Sequence, residues 1–273
     1  MTADASITAT RTAPGAGLRA TLAAEWAKLW SLPFTRRMLL LAVALSSAAA
    51  AVFTLTTAVT EGTALADMTL LDAAGASLLG ADLAVLVLLI LAASNVASEY
   101  ATGMIRLTLA ATPRRRRLLA AKAIVLTATA LAGGVAATLT AYGAGRLVLA
   151  AQGIPALAMT DPRLLRLILG SALTAPTYAL LAVALAFLLR STGGAVATVL
   201  AIMSVPALVN ALADRWRDAL LPWLPASALH SLSGSATPSA AEYLPPAVAA
   251  LVLVTWFAAS LVAAHRSLVR RDA

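Results

Sequence analysis

Side chains able to do chemistry are few in this chain, and most are gathered in one stretch. From Glu99 to Lys122 it reads EYATGMIRLTLAATPRRRRLLAAK: a carboxylate, Gly103, Arg106, Pro113, the quartet Arg114, Arg115, Arg116 and Arg117, and one of only two lysines. Such a run can hold anions or dock an acidic partner; it has no means of breaking a bond. A phosphate-cradling loop needs glycines followed by Lys and then Ser or Thr. Here Lys28 precedes Leu29 and Lys122 precedes Ala123, so neither lysine belongs to one. With no cysteine there is no thiol nucleophile, thiolate metal site or disulfide framework. His230 and His265 lie outside the apolar stretches, which leaves any intramembrane serine without a base. No His, Asp or Glu set has metal-ligand spacing. The chain reads as non-enzymatic, with no cofactor of its own.

The elements that must position this stretch are apolar and long. The chain is 61% hydrophobic with a mean hydropathy of +0.88, too oily for a soluble fold. Residues 38–60, 123–145, 167–189, 191–213 and 244–264 carry no formal charge. A helix of 23 residues spans about 35 Å, against a hydrocarbon core of about 30 Å. A sixth, weaker span lies around Leu83 to Ser98, between Asp82 and Glu99, and is placed over 76–98 with its start near Gly75 or Ala76. The expectation is an all-α polytopic membrane protein with short loop helices, two of them on the cytosolic surface between Ala97 and Lys122. It has an arm over 1–37, disordered over 1–17 and helical over about 18–32, then a six-span domain over 38–265 and a tail over 266–273.

Charge sets the orientation. With six crossings and the N-terminus inside, fifteen of the twenty basic residues fall in inner segments and five outside, as the excess of Lys and Arg in cytoplasmic loops requires. Both termini are therefore expected in the cytosol. The net charge of +8 would point to nucleic acid in a soluble protein, but here it belongs to this asymmetry and no nucleic-acid partner is implied. Eighteen arginines against two lysines, with abundant alanine, fit a high-GC bacterial genome. The location read from this is a bacterial plasma (inner) membrane. The N-terminal segment has no apolar core of signal-peptide type, so it is expected to be retained.

In the arm, Leu18, Leu22, Trp26 and Leu29 recur at helical spacing before Pro33, which fits a helix lying in the inner interface. Asp82 has two readings: a carboxylate at headgroup level, or an intramembrane charge that faces a cavity or pairs with an outer arginine such as Arg146. Pro176, and Pro206 with Asn210 one turn later, kink their helices either as packing features or as hinges. Gly133, Gly134, Gly143, Gly145, Gly193 and Gly194 permit close helix contact. The last outer loop, 214–243, places Trp216 and Trp223 among leucines and prolines, as short helices on or dipping into the outer interface. Arg114 to Arg117 can bind anionic lipid headgroups, at about 1 kcal/mol each.

A family resemblance sits on these residues. The spacing E-Y-x-x-G-x-x-R-x-x-L-x-x-x-P-R-R-x-x-L-x-x-x-K, Glu99 to Lys122, resembles the first cytosolic loop of ABC-transporter permeases of the type-2 exporter class. AEWAKLW, Ala24 to Trp30, is similar to their N-terminal interfacial helix, and WLPASALHSL, Trp223 to Leu232, to their final outer loop. The resemblance implies a permease that pairs with a second permease chain, identical or different. It also implies a cytosolic ATP-binding subunit, which would carry ATP and magnesium. It marks Glu25, Lys28, Glu99, Gly103, Arg106, Pro113, Arg114 to Arg117 and Lys122 as docking or coupling positions. A gradient-driven transporter or channel and a non-transporting scaffold or immunity protein stay open beside it. The substrate is not specified by these residues.

Overall fold

The computed structural model describes residues 17–61, 69–155 and 157–270. The expectation of disorder over 1–17 falls almost wholly outside these residues, as does the end of the tail. The described chain is helical, with six helices long and apolar enough to cross a membrane.

Helix α1 (Leu18–Ser31) is separated by the extended Leu32 from α2 (Pro33–Glu61). Pro33 disfavours helical geometry at Leu32 and suits the first turn of the next helix. Thr35 Oγ1 donates to the Leu29 carbonyl at 2.6 Å and closes the corner. The α1 face turned to the protein is Thr21, Glu25 and Leu29, while Leu18 and Trp26 are exposed. The apolar stripe is thus split, with Leu22 and Leu29 packed on the bundle and Leu18 and Trp26 turned away, and an acidic residue points inward beside Leu29.

The weak second span is longer than its apolar window. Thr69 caps α3 (Leu70–Leu78) by accepting from the Asp72 amide at 3.2 Å, and a turn at Leu79–Gly80 leads into α4 (Ala81–Ala101). The start near Gly75 or Ala76 is corrected to Leu70, and together the two pieces form one 32-residue span. Gly80 sits at this turn, where a Cβ would collide with the Ser46 carbonyl and the Ala50 backbone of α2, so only glycine lets the two segments come so close.

Gly103 at φ +72° turns the chain into α5 (Met104–Ala111), and α6 (Arg115–Ala151) follows. The expected span 123–145 is only the middle of α6. Its 37 residues measure about 55 Å, because arginine and lysine are good helix formers and no proline interrupts them. Asp161 caps α7 (Pro162–Leu189), accepting from the Arg163 amide at 2.8 Å. Ser191 caps α8 (Thr192–Asn210), which stops three residues short of the expected Ala213. The segment between α8 and α11 folds as α9 (Asp214–Leu220), a 3-10 turn (Leu221–Trp223) and α10 (Pro225–Ser233). The last helix, α11 (Pro246–Arg270), runs six residues past its expected end at Ala264.

Helices α4, α6 and α7 form the centre, with α2, α8 and α11 outside. Leu88, Leu89, Val96, Leu126, Val183 and Phe187 are buried there. In lipid, such helices associate through close packing of small residues and hydrogen bonds. Gly134 lies against Ala172 and Ala175 of α7, and Gly145 against Ser77 of α3. Gly143 and Gly193 face open space. Helix α10 does not lie flat on the surface: Ser227, Ala228, Leu229 and Ser231 are buried, and Ser233 presses on Gly170 of α7.

Candidate functional site

Four of the charged residues marked in the sequence meet at one end of the bundle. Lys122, in the second turn of α6, donates to Glu25 Oε2 of α1 at 2.6 Å and to Glu99 Oε1 of α4 at 2.9 Å. Lys28 of α1 donates to Glu25 Oε1 at 2.8 Å, Glu99 Oε1 at 3.2 Å and the Thr108 hydroxyl of α5 at 3.3 Å. Asn95 Oδ1 lies 3.5 Å from Lys122 Nζ. Two carboxylates and two ammoniums cancel, so four helices are fastened with no net charge buried.

Burial grades the members. Lys122 is 1% exposed, Glu25 4% and Glu99 12%, while Lys28 is 41% exposed. Burial alone would raise the Glu25 carboxyl, but Lys122 and then Lys28 outweigh it and hold the group below its ordinary range. Burial likewise opposes the Lys28 ammonium, and Glu25 and Glu99 outweigh it, so that lysine is held above its ordinary range. Taking one partner from such a cluster costs about 3–5 kcal/mol, because a buried charge is left uncompensated. Glu25 and Lys122 are too buried to touch another protein directly. What they can do is make α1, the end of α4, α5 and the start of α6 move together.

The arginines divide between two tasks. Arg115 donates from NH1 to the Leu268 carbonyl and, at 3.2 Å, to that of Val269, occupying carbonyls at the end of α11 that have no helical partner. Arg116 Nε donates to His265 Nε2 at 3.2 Å. Arg106, Pro113 and Arg114 are exposed, and Arg117 is half-buried. The four arginines, Pro113, His265 and Val269 line a surface cleft of about 470 Å³. Arg190, at the end of α7, lies over the Tyr100 ring at 5.1 Å on this same end. Gly103 occupies the left-handed turn between α4 and α5, where a side chain would be strained.

The remaining marked residues lie elsewhere. Asp82 is not paired with Arg146, whose guanidinium stands 5.9 Å from the Tyr142 ring of its own helix. Instead Asp82 lines a cavity of about 840 Å³ at the opposite end of the bundle. Pro176 is buried beside Gly134, Pro206 is half-buried in α8, and Asn210 is the exposed last residue of that helix. Sequence reading missed Asn95, Thr108 and His265 as partners in these clusters. Asn95 could have been found, since it sits four residues before Glu99 on the same helical face. Among the described residues no three His, Asp or Glu side chains gather as metal ligands. No family model matches the chain, and none of the curated proteins matches it.

Proposed function

We propose that this chain is the membrane-spanning permease subunit of an ATP-driven ABC exporter in a bacterial inner membrane, with both termini cytosolic. It works with a second permease chain and a cytosolic ATP-binding subunit. The observation that carries the reading is the Glu25–Lys28–Glu99–Lys122 cluster. It joins the two segments that resemble the docking elements of such permeases, although they lie far apart in sequence. A force applied to any of α1, α4, α5 or α6 at this end is shared by all four. Arg106 and Arg114, exposed beside that knot, are the side chains left to meet a partner.

The test is co-purification. Tagged chain, extracted gently from its host membrane, is expected to bring an ATPase with it, and Arg106→Glu with Arg114→Glu is expected to deplete that ATPase while leaving the bundle folded. Arg115 and Arg116 are unsuitable for this experiment because they hold α11. Intact wild-type chain that carries no ATPase would overturn the proposal.

A further inference from the structure

The cavity at the end of the bundle opposite the arginines is walled by α3, α7, α10 and the start of α4. At about 840 Å³ it lies within the ~300–1,000 Å³ of small-molecule sites. Its lining mixes hydroxyls, among them Ser171, Thr174 and Ser235, with apolar side chains such as Leu79 and Leu167.

The charges around it are unevenly answered. His230 Nδ1 lies 3.2 Å from Glu242, whose hydrogen bond, against the opposing effect of burial, holds the imidazole above its ordinary range. These two side chains answer each other. Arg166 is turned onto the carbonyls of Ser231 at 2.8 Å and Leu232 at 3.0 Å. Asp72 accepts from the Thr69 hydroxyl and sits in the first turn of α3, where the helix N-terminus favours it. Asp82 is less well answered: it is exposed in the cavity wall and has no hydrogen bond or ion pair among the described residues, and the imidazole whose field reaches it, His230, is already held by Glu242. Its place in the first turn of α4 supplies less than usual. The Asp82 and Leu83 amides already donate to the carbonyls of Leu79 and Gly80, each at 3.2 Å. A charge kept within a membrane span without a partner marks a place where something else neutralises it.

We propose that this cavity binds an amphipathic organic cation, its positive charge met by Asp82 and its apolar body laid against Leu79 and Leu167. The hydroxyls of Ser171 and Thr174 supply acceptors around the charge. The site does not depend on the exporter reading, because binding is measured on the purified chain without an ATPase. Failure here leaves co-purification untouched, and the reverse holds equally.

Tetraphenylphosphonium and tetraphenylborate are nearly identical in shape and opposite in charge, so they separate recognition of charge from general stickiness. The net charge of +8 would by itself draw the anion. Equilibrium binding to wild-type chain in neutral detergent is expected to be saturable for tetraphenylphosphonium at one per chain, with no competition from tetraphenylborate. Asp82→Asn is expected to weaken it by about tenfold or more, or ~1.4 kcal/mol. Thr174→Trp, which fills the cavity without touching the charge, is expected to abolish it. Equal competition by tetraphenylborate, absence of saturable binding, or undiminished affinity in either folded variant overturns the proposal. Should neither variant fold, the wild-type comparison of the two probes decides alone.

Discussion

Replacing Lys122 by methionine keeps the length and most of the volume of the side chain and deletes the charge that bridges α1 to α4. Lys122 is 1% exposed and is hydrogen-bonded to both Glu25 and Glu99. Its loss leaves two carboxylates facing one half-exposed lysine, a net negative charge in a dry place. Breaking a buried ion pair in this way costs about 3–5 kcal/mol, a large share of the ~5–15 kcal/mol typical of a folded domain. The double variant Lys122→Met with Glu25→Gln restores neutrality, because Glu99 then faces Lys28 alone, and is expected to be more stable than Lys122→Met. Thermal unfolding in detergent, followed by tryptophan fluorescence, reads the global effect. Hydrogen exchange over 18–31 reads release of α1. Two results would refute the reasoning: Lys122→Met within about 0.5 kcal/mol of wild type, or additive effects of the two substitutions, since neighbours in one network couple.

Acid is expected to loosen the same knot. The Glu25 carboxyl is held below its ordinary 4.5, so its contribution is complete above that value and is lost as pH falls through the lower folded-state value. Lys28, held above its ordinary 10.5, contributes fully below that value and loses its share only in stronger base. The protection of α1 from hydrogen exchange, taken relative to the intrinsic rate at each pH, should be flat between these limits and fall on the acid side. Gly80→Ala drives a Cβ into the backbone of α2 and is expected to destabilise by about 1–3 kcal/mol. Gly143→Ala meets nothing and should stabilise by roughly 0.5–1 kcal/mol; the pair of melting temperatures checks both. Arg115→Ala removes charged donors from the Leu268 and Val269 carbonyls and should raise exchange at the end of α11, for a loss of about 1.5–3 kcal/mol.

The number of crossings was legible because charge-free windows of bilayer length leave little choice of state. Their ends were not. Arg115 to Lys122 reads as part of a short surface helix, separate from the span, when charge is taken to terminate a span, yet nothing in those residues breaks a helix, and α6 begins directly after Pro113 and Arg114. The start of α3 was hidden because its evidence is the Thr69 cap, a local hydrogen bond, and the close approach of Gly80 to α2 is a tertiary contact. Glu25, Lys28, Glu99 and Lys122 could be singled out by type, but their meeting depends on three helices packing in one order. Asp82 and Arg146 show the converse. A charge pair that sequence permitted is not formed, because Arg146 has an aromatic face in its own helix. The inward turn of Glu25 was also unreadable, since the spacing of Leu18, Leu22, Trp26 and Leu29 gives no sign of it and its burial depends on the lysines brought by the cluster.

Helix α6 has a mechanical meaning beyond its anchoring of charges. It begins beside the arginine cleft and, some 30 residues later, its Gly145 abuts Ser77 of α3, a helix that walls the distant cavity. No proline interrupts this rod, so it acts as an undivided lever. Swinging about its first turn by about 5° would carry its far tip through roughly 5 Å. Pressure on one mouth of the bundle is therefore delivered to the other by a single beam, with no relay of smaller joints between them.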